Sequence, residues 1–185
     1  MLTSARTHSS PRGHEGTTHQ VSNPSFAALC LRGIGVGLMF TTIACAPTVG
    51  KTPDSGSAMP ASIVDPYLQI QAALADDTTE NIKANAGNIA TAATALGAPA
   101  MKIDTAALQL SAAAEAAEPD IAVIRERFGV LSEAIDTYMT GLKLKTPEGV
   151  RVAYCPMVKK PWLQQGDSLA NPYYGKEMLT CGSFR

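Results

Sequence analysis

A chain of 185 residues carrying 15 Lys+Arg against 16 Asp+Glu suits one domain with appendages, not a large multidomain enzyme. Its net charge of -1 leaves no basic face to neutralise a phosphate backbone, which argues against nucleic-acid binding. All three histidines, His8, His14 and His19, lie near the start, so whatever folds after them has no imidazole for acid–base work or metal ligation, and most hydrolase mechanisms fall away.

Residues 1–31 are polar, Ser/Thr-rich, basic apart from Glu15, and lack any apolar period; they read as a disordered n-region or an over-long start. Residues 32–45 have the pattern of a signal h-region: Arg32, then about a dozen apolar or small residues, then Ala44-Cys45. Such a run is too short to span a bilayer as a helix, which takes about 20 residues. Thr42-Ile43-Ala44-Cys45 resembles a lipobox, with threonine where leucine is commonest. The preferred reading is a lipoprotein cleaved and acylated at Cys45. An ordinary cleaved signal peptide, an uncleaved anchor and a chance apolar run are the alternatives. All but the last place the domain outside the cytoplasm, and the preferred one puts it on the periplasmic side of the cell envelope, tethered to a membrane. Residues 46–62 are rich in Pro, Gly and Ser and read as a flexible tether, which leaves 63–185 as the folded unit.

Asp65-Pro66 is a helix-start signal, after which Tyr67, Ile70 and Leu74 share a face. Thr78 or Thr79 caps a second helix whose Ile82, Ala86, Ile89, Ala93 and Leu96 recur at three- and four-residue steps until Gly97 and Pro99. Asp104 opens a third, alanine-rich segment to about Ala117. Pro119-Asp120 opens the longest, with the stripe Ile121, Ile124, Phe128, Leu131, Ile135, Tyr138 and Leu142. Four helices joined by short connections predict an all-α, up-down bundle. The stripes are core, and Glu115, Glu118, Arg125, Glu126 and Arg127 read as solvated faces with local ion pairs. A di-iron carboxylate bundle needs Glu-x-x-His pairs, which this chain lacks.

After Gly149 the pattern changes. Val150, Val152 and Tyr154 alternate like a short strand, residues 161–175 hold turn formers and three aromatics, and residues 177–184 can return beside the first strand. A C-terminal hairpin-like, loop-rich cap follows, with Trp162, Tyr173 and Tyr174 packing it onto the bundle and Asn171-Pro172 and Gly175 serving as turn chemistry. Its two ends bring Cys155 and Met157 near Met178 and Cys181. Thiolate and thioether are soft ligands suited to ions such as Cu(I). Three readings stay open at this point: a Cys155–Cys181 disulfide, natural in an oxidising compartment and worth roughly 3 kcal/mol by loop closure; soft-metal ligation by some or all of the four sulfurs; and inert buried thiols.

The run Tyr154-Cys155-Pro156-Met157, then Trp162-Leu163, then Asn171 through Gly182 resembles the hallmark of a bacterial domain of unknown function. That domain occurs alone in exported proteins and fused to the C-terminus of adaptor subunits of heavy-metal efflux pumps. The resemblance covers about Ile63 to Phe184, with Arg127-Phe128 through Leu131-Ser132 matching a further helix motif of that family. The connection Val158-Lys159-Lys160-Pro161 is shorter here than in adaptor-fused versions. What the resemblance implies is contact with copper, silver or similar ions, mapped onto Cys155, Met157, Met178 and Cys181.

The expected function is therefore a non-enzymatic, membrane-tethered envelope protein that buffers or hands over Cu(I) or Ag(I), linked to heavy-metal efflux components. Cys155 without a histidine lacks an activating base. The alternative is a structural or interaction module stapled by the Cys155–Cys181 disulfide and docked on another envelope protein.

Overall fold

The computed structural model describes residues 51–185; the h-region and the lipobox-like Cys45 lie outside the described residues. Four helices follow in order, α1 (Ala61–Ala75), α2 (Ile82–Leu96), α3 (Met101–Ala114) and α4 (Ile121–Leu142), and then three strands, β1 (Val150–Cys155), β2 (Lys160–Gln165) and β3 (Ser183–Phe184). The strands form one antiparallel sheet in the order β2-β1-β3. Among the described residues no helix is long and apolar enough to cross a membrane.

The helical stripes fall where the sequence puts them. In α2, Ile82, Ala86, Ile89, Ala93 and Leu96 are all buried, and Gly97 ends the helix at φ 79°. In α4, Asp120 accepts a hydrogen bond from the Ala122 amide at 2.8 Å as the N-cap, and Ile124, Phe128, Leu131, Ile135 and Tyr138 face inward. Helix starts differ. α1 begins at Ala61, before the Asp65-Pro66 signal, and carries Pro66 inside it. The bond proline forgoes is to the carbonyl of Ser62, an exposed residue whose oxygen water can satisfy. Left-handed Asn81, not a threonine, precedes α2, and a 3-10 turn at Ala98–Ala100 leads into α3 ahead of Asp104. The packing also reaches back past Ile63: Met59 is 1% exposed, Ala58 bridges Lys145, and the Thr52 hydroxyl donates to the Leu96 carbonyl at 3.3 Å.

An all-α architecture does not hold. Helix makes up 53% and strand 12% of the described chain, so the domain is mixed α/β. α1 packs on α2, α2 on α3 and α3 on α4, while β2 lies against both α1 and α4. The hairpin-like C-terminal segment is present, with β1 and the return of β3 beside it where the sequence puts them, but residues 160–165, expected as turns, form a strand that packs on the outer helices. β2 escapes a period-2 reading because Pro161, Trp162, Leu163 and Gln164 are all buried, so no polar residue alternates with an apolar one. Its proline also argues against a strand, yet β2 is an edge strand, the place where a sheet tolerates proline.

Aromatic rings join sheet to helices. Tyr67 of α1 stacks on Phe128 of α4 at 5.0 Å between centroids, Phe128 meets Tyr173 at 5.9 Å, and Tyr173 meets Trp162 edge-on at 6.0 Å. The Tyr67 hydroxyl accepts from the Leu163 amide of β2 at 3.2 Å and shares a 2.7 Å bond with the Ser132 hydroxyl of α4. One phenol therefore ties α1, α4 and β2 together. Trp162 and Tyr173 play the packing role expected of them, and Tyr174 is half-buried.

Candidate cysteine site

Cys155 ends β1 and is completely buried. Pairing of β3 with β1, Phe184 opposite Ala153 and Ser183 opposite Tyr154, carries the half-buried Cys181 back to the same end of the strand. The approach is close. Gly182 sits at φ +142°, and a Cβ there would lie 2.7 Å from the Trp162 ring and 2.9 Å from the Tyr154 carbonyl, so only glycine lets the chain pass.

Asn171 connects the two cysteines. Its side chain is completely buried; Nδ2 donates to Cys155 Sγ at 3.4 Å and to the Cys181 carbonyl at 2.7 Å, and Oδ1 accepts from the Tyr173 amide at 2.8 Å. The Asn171 backbone adds a bond to the Leu179 carbonyl at 2.7 Å and accepts one from Gly175 at 3.1 Å. Both amide hydrogens are thus committed to the cysteine pair. The sequence marks Asn171 as a turn former only. Its hub role depends on β3 returning beside β1, and no local pattern carries that signal.

Of the four sulfurs singled out in the sequence, the fold links Cys155 and Cys181 through this shared amide, and both thiols are free. Met178 is half-buried, and the Cys181 amide donates to its carbonyl at 3.0 Å. Met157 lies on the turn between β1 and β2, 60% exposed. Among the described residues no group of three or more His, Cys, Asp or Glu side chains could hold a metal, so a site here would rest on two thiolates with thioether support.

The segment bearing Asn171 is fixed from both sides. Gln71 of α1 donates to the Ala170 carbonyl at 2.7 Å, and the buried Gln164 of β2 accepts from Trp162 Nε1 and the Ala170 amide, each at 3.0 Å. Arg125 of α4 reaches the Pro172 carbonyl at 3.0 Å through Nε, and the Leu74 carbonyl at 2.9 Å and Asp77 at 2.5 Å through Nη2. Asp77 also accepts from the Lys176 amide at 3.2 Å, and its carboxyl is held below the usual range, first by the hydrogen bond from Arg125 and then by that amide. Arg125 therefore belongs to a long-range clamp, not to the solvated face its charge suggested. Lys160 of β2 pairs with Glu133 of α4. Burial pushes the Tyr67 and Tyr173 phenols well above their ordinary range; the Tyr173 hydroxyl donates to the Pro161 carbonyl at 2.5 Å, and both phenols serve as neutral structural groups.

Compared with known proteins, the chain matches no protein-family model, no curated protein and no solved structure.

Proposed function

We propose that this domain binds a soft monovalent ion, Cu(I) or Ag(I), on the outer side of the cytoplasmic membrane, with the Cys155 and Cys181 thiolates as anchors. The observation that carries the reading is the amide of Asn171, which holds the sulfur of one free cysteine and the backbone of the other. Thiolates select soft ions, and with every histidine confined to the region before residue 20 no imidazole competes for the role. An N–H aimed at Cys155 Sγ is the kind of outer partner that orients and tunes a metal-bound ligand. Met178 and, after a turn movement, Met157 would add neutral thioether donors. The resemblance of the C-terminal motif to a domain fused to heavy-metal efflux adaptors supports buffering or hand-over of the ion to efflux components. The h-region and Cys45 support a membrane-tethered, periplasmic location.

A second reading draws on the burial of Cys155: a thiol without solvent access, linked to Cys181 through the Asn171 amide, suits a structural disulfide that staples β3 to β1 in an interaction module. One experiment separates the two. Thiols are titrated on protein taken from the envelope, and Cu(I) affinity is then measured by anaerobic competition on protein verified as reduced and folded. The metal reading expects tight binding that is lost when both cysteines become serine and weakened when both methionines are replaced. Zn(II) should compete poorly, since structural zinc sites use four ligands from Cys and His. No free thiol in envelope protein, together with Cu(I) binding no tighter than that of the double-serine variant, would establish the staple instead.

A further inference from the structure

Away from the cysteines, α3 and α4 leave a cleft between them. One part, about 420 Å³, is bounded by Met101, Thr105 and Ala106 on α3 and by Val130 on α4. It continues into a second part of about 310 Å³ floored by Ile103, Tyr138 and Leu142, and the two parts share Lys102, Ala134 and Thr137. The cleft exists because small residues, Ala106, Ala134 and Gly141, stand where larger ones would fill the space between the helices. Each part alone is within the range of small-molecule sites.

Three features define what would fill it. Its lip is apolar and exposed, with Met101 at 61% and Val130 at 36%. At the junction of the two parts stands Lys102, an exposed cation that makes no ion pair among the described residues. On the floor, Tyr138 is 6% exposed, and its hydroxyl is buried without a hydrogen-bond partner. A buried hydroxyl left unpaired is a standing cost that an incoming acceptor removes. Burial also raises the Tyr138 phenol above its ordinary range, which keeps it a donor. The one carboxylate on the wall, Glu133, is engaged by Lys160. A free cation and an orphaned donor over apolar walls are complementary to an anionic oxygen head on an apolar body.

We propose that the α3–α4 cleft is a binding site for a small carboxylate amphiphile, its head at Lys102 and reaching the Tyr138 hydroxyl after a small side-chain shift uncovers it, its apolar body along Met101, Ala106 and Val130. The site is independent of the cysteines. The probe is decanoate below its micellar concentration, titrated into the full-length protein with methyl-labelled Met and Ala and followed by NMR; decanol is the neutral control. Saturable shifts confined to Met101, Ala106 and Ala134 are expected, with decanol much weaker. Lys102→Gln and Tyr138→Phe should each weaken binding by about fivefold or more, the worth of one hydrogen bond or ion pair. Tyr138→Phe removes an unpaired group and should fold at least as well as the parent, while exposed Lys102→Gln tests the head-group contact even if it does not. Ala134→Leu should fill the cleft and abolish binding. Equal affinity for decanol, unchanged affinity in both Lys102→Gln and Tyr138→Phe, or shifts located elsewhere would each overturn the proposal. So would a concentration-dependent dimer that covers the cleft and is not displaced by decanoate.

Discussion

Arg125 and Asp77 form a 2.5 Å ion pair that joins α4 to the turn after α1 and also holds the backbone at Leu74, Pro172 and Lys176. Gly175 lies against it at φ +58°, and any Cβ there would collide with both partners. Because the folded Asp77 carboxyl titrates below its ordinary value, its contribution to stability is fully present above the unfolded value, near pH 4. That contribution disappears as pH falls through the lowered folded value. Asp77→Asn should therefore be less stable than the parent at pH 7, with the difference shrinking steadily below about pH 4. Urea unfolding from pH 7 to pH 2 checks this, and a difference independent of pH would show that the carboxylate charge is not what matters.

Phe128 lies at the centre of the aromatic series, against Tyr67 on one side and Tyr173 on the other, and is completely buried. Phe128→Ala should cost about 3–5 kcal/mol, the usual penalty for deleting a core ring. Chemical denaturation measures it, and a loss below about 1 kcal/mol would mean that neighbouring side chains collapse into the space.

Replacing Asn171 removes the donor shared by the two cysteines. Asn171→Leu leaves the buried Tyr173 amide and the part-buried Cys181 carbonyl without their partner; the stranded amide should cost about 1–3 kcal/mol and the carbonyl less. Asn171→Asp keeps the shape but turns an acceptor toward Cys155 Sγ and the Cys181 carbonyl, so it should be the more damaging at neutral pH, where the carboxylate carries charge. Thermal unfolding of the two variants at pH 7 and pH 4 tests the order; Asn171→Asp more stable than Asn171→Leu at both would contradict the assigned hydrogen bonds.

Mass spectrometry of the native protein should find a diacylglycerol-bearing peptide starting at Cys45, and Cys45→Ser should release the chain from membranes. A soluble envelope form of the unaltered protein would count against lipidation. Ala46, with no aspartate after the cysteine, favours outer-membrane sorting in a host with two membranes.

The helical half of this domain was legible in the sequence because a helix writes its buried face locally: Ile82, Ala86, Ile89, Ala93 and Leu96, or Ile124, Phe128, Leu131 and Ile135, recur within a few turns of one another. The alternation of Val150, Val152 and Tyr154 likewise marked β1, and the return of the chain's last residues beside it follows the sequence expectation. What only the tertiary structure decided is carried by contacts across long stretches of chain. β2 carries no period because it is covered by helices and by β1, and Asn171 gains its partners only when Gly182 lets β3 slide beside Tyr154. Arg125 looks like any surface charge until the chain folds back and offers it the carbonyls of Leu74 and Pro172. Such pairings depend on distances in space that a one-dimensional pattern of polarity does not encode, whereas the helix faces follow from a repeat of 3.6 residues already present in the chain.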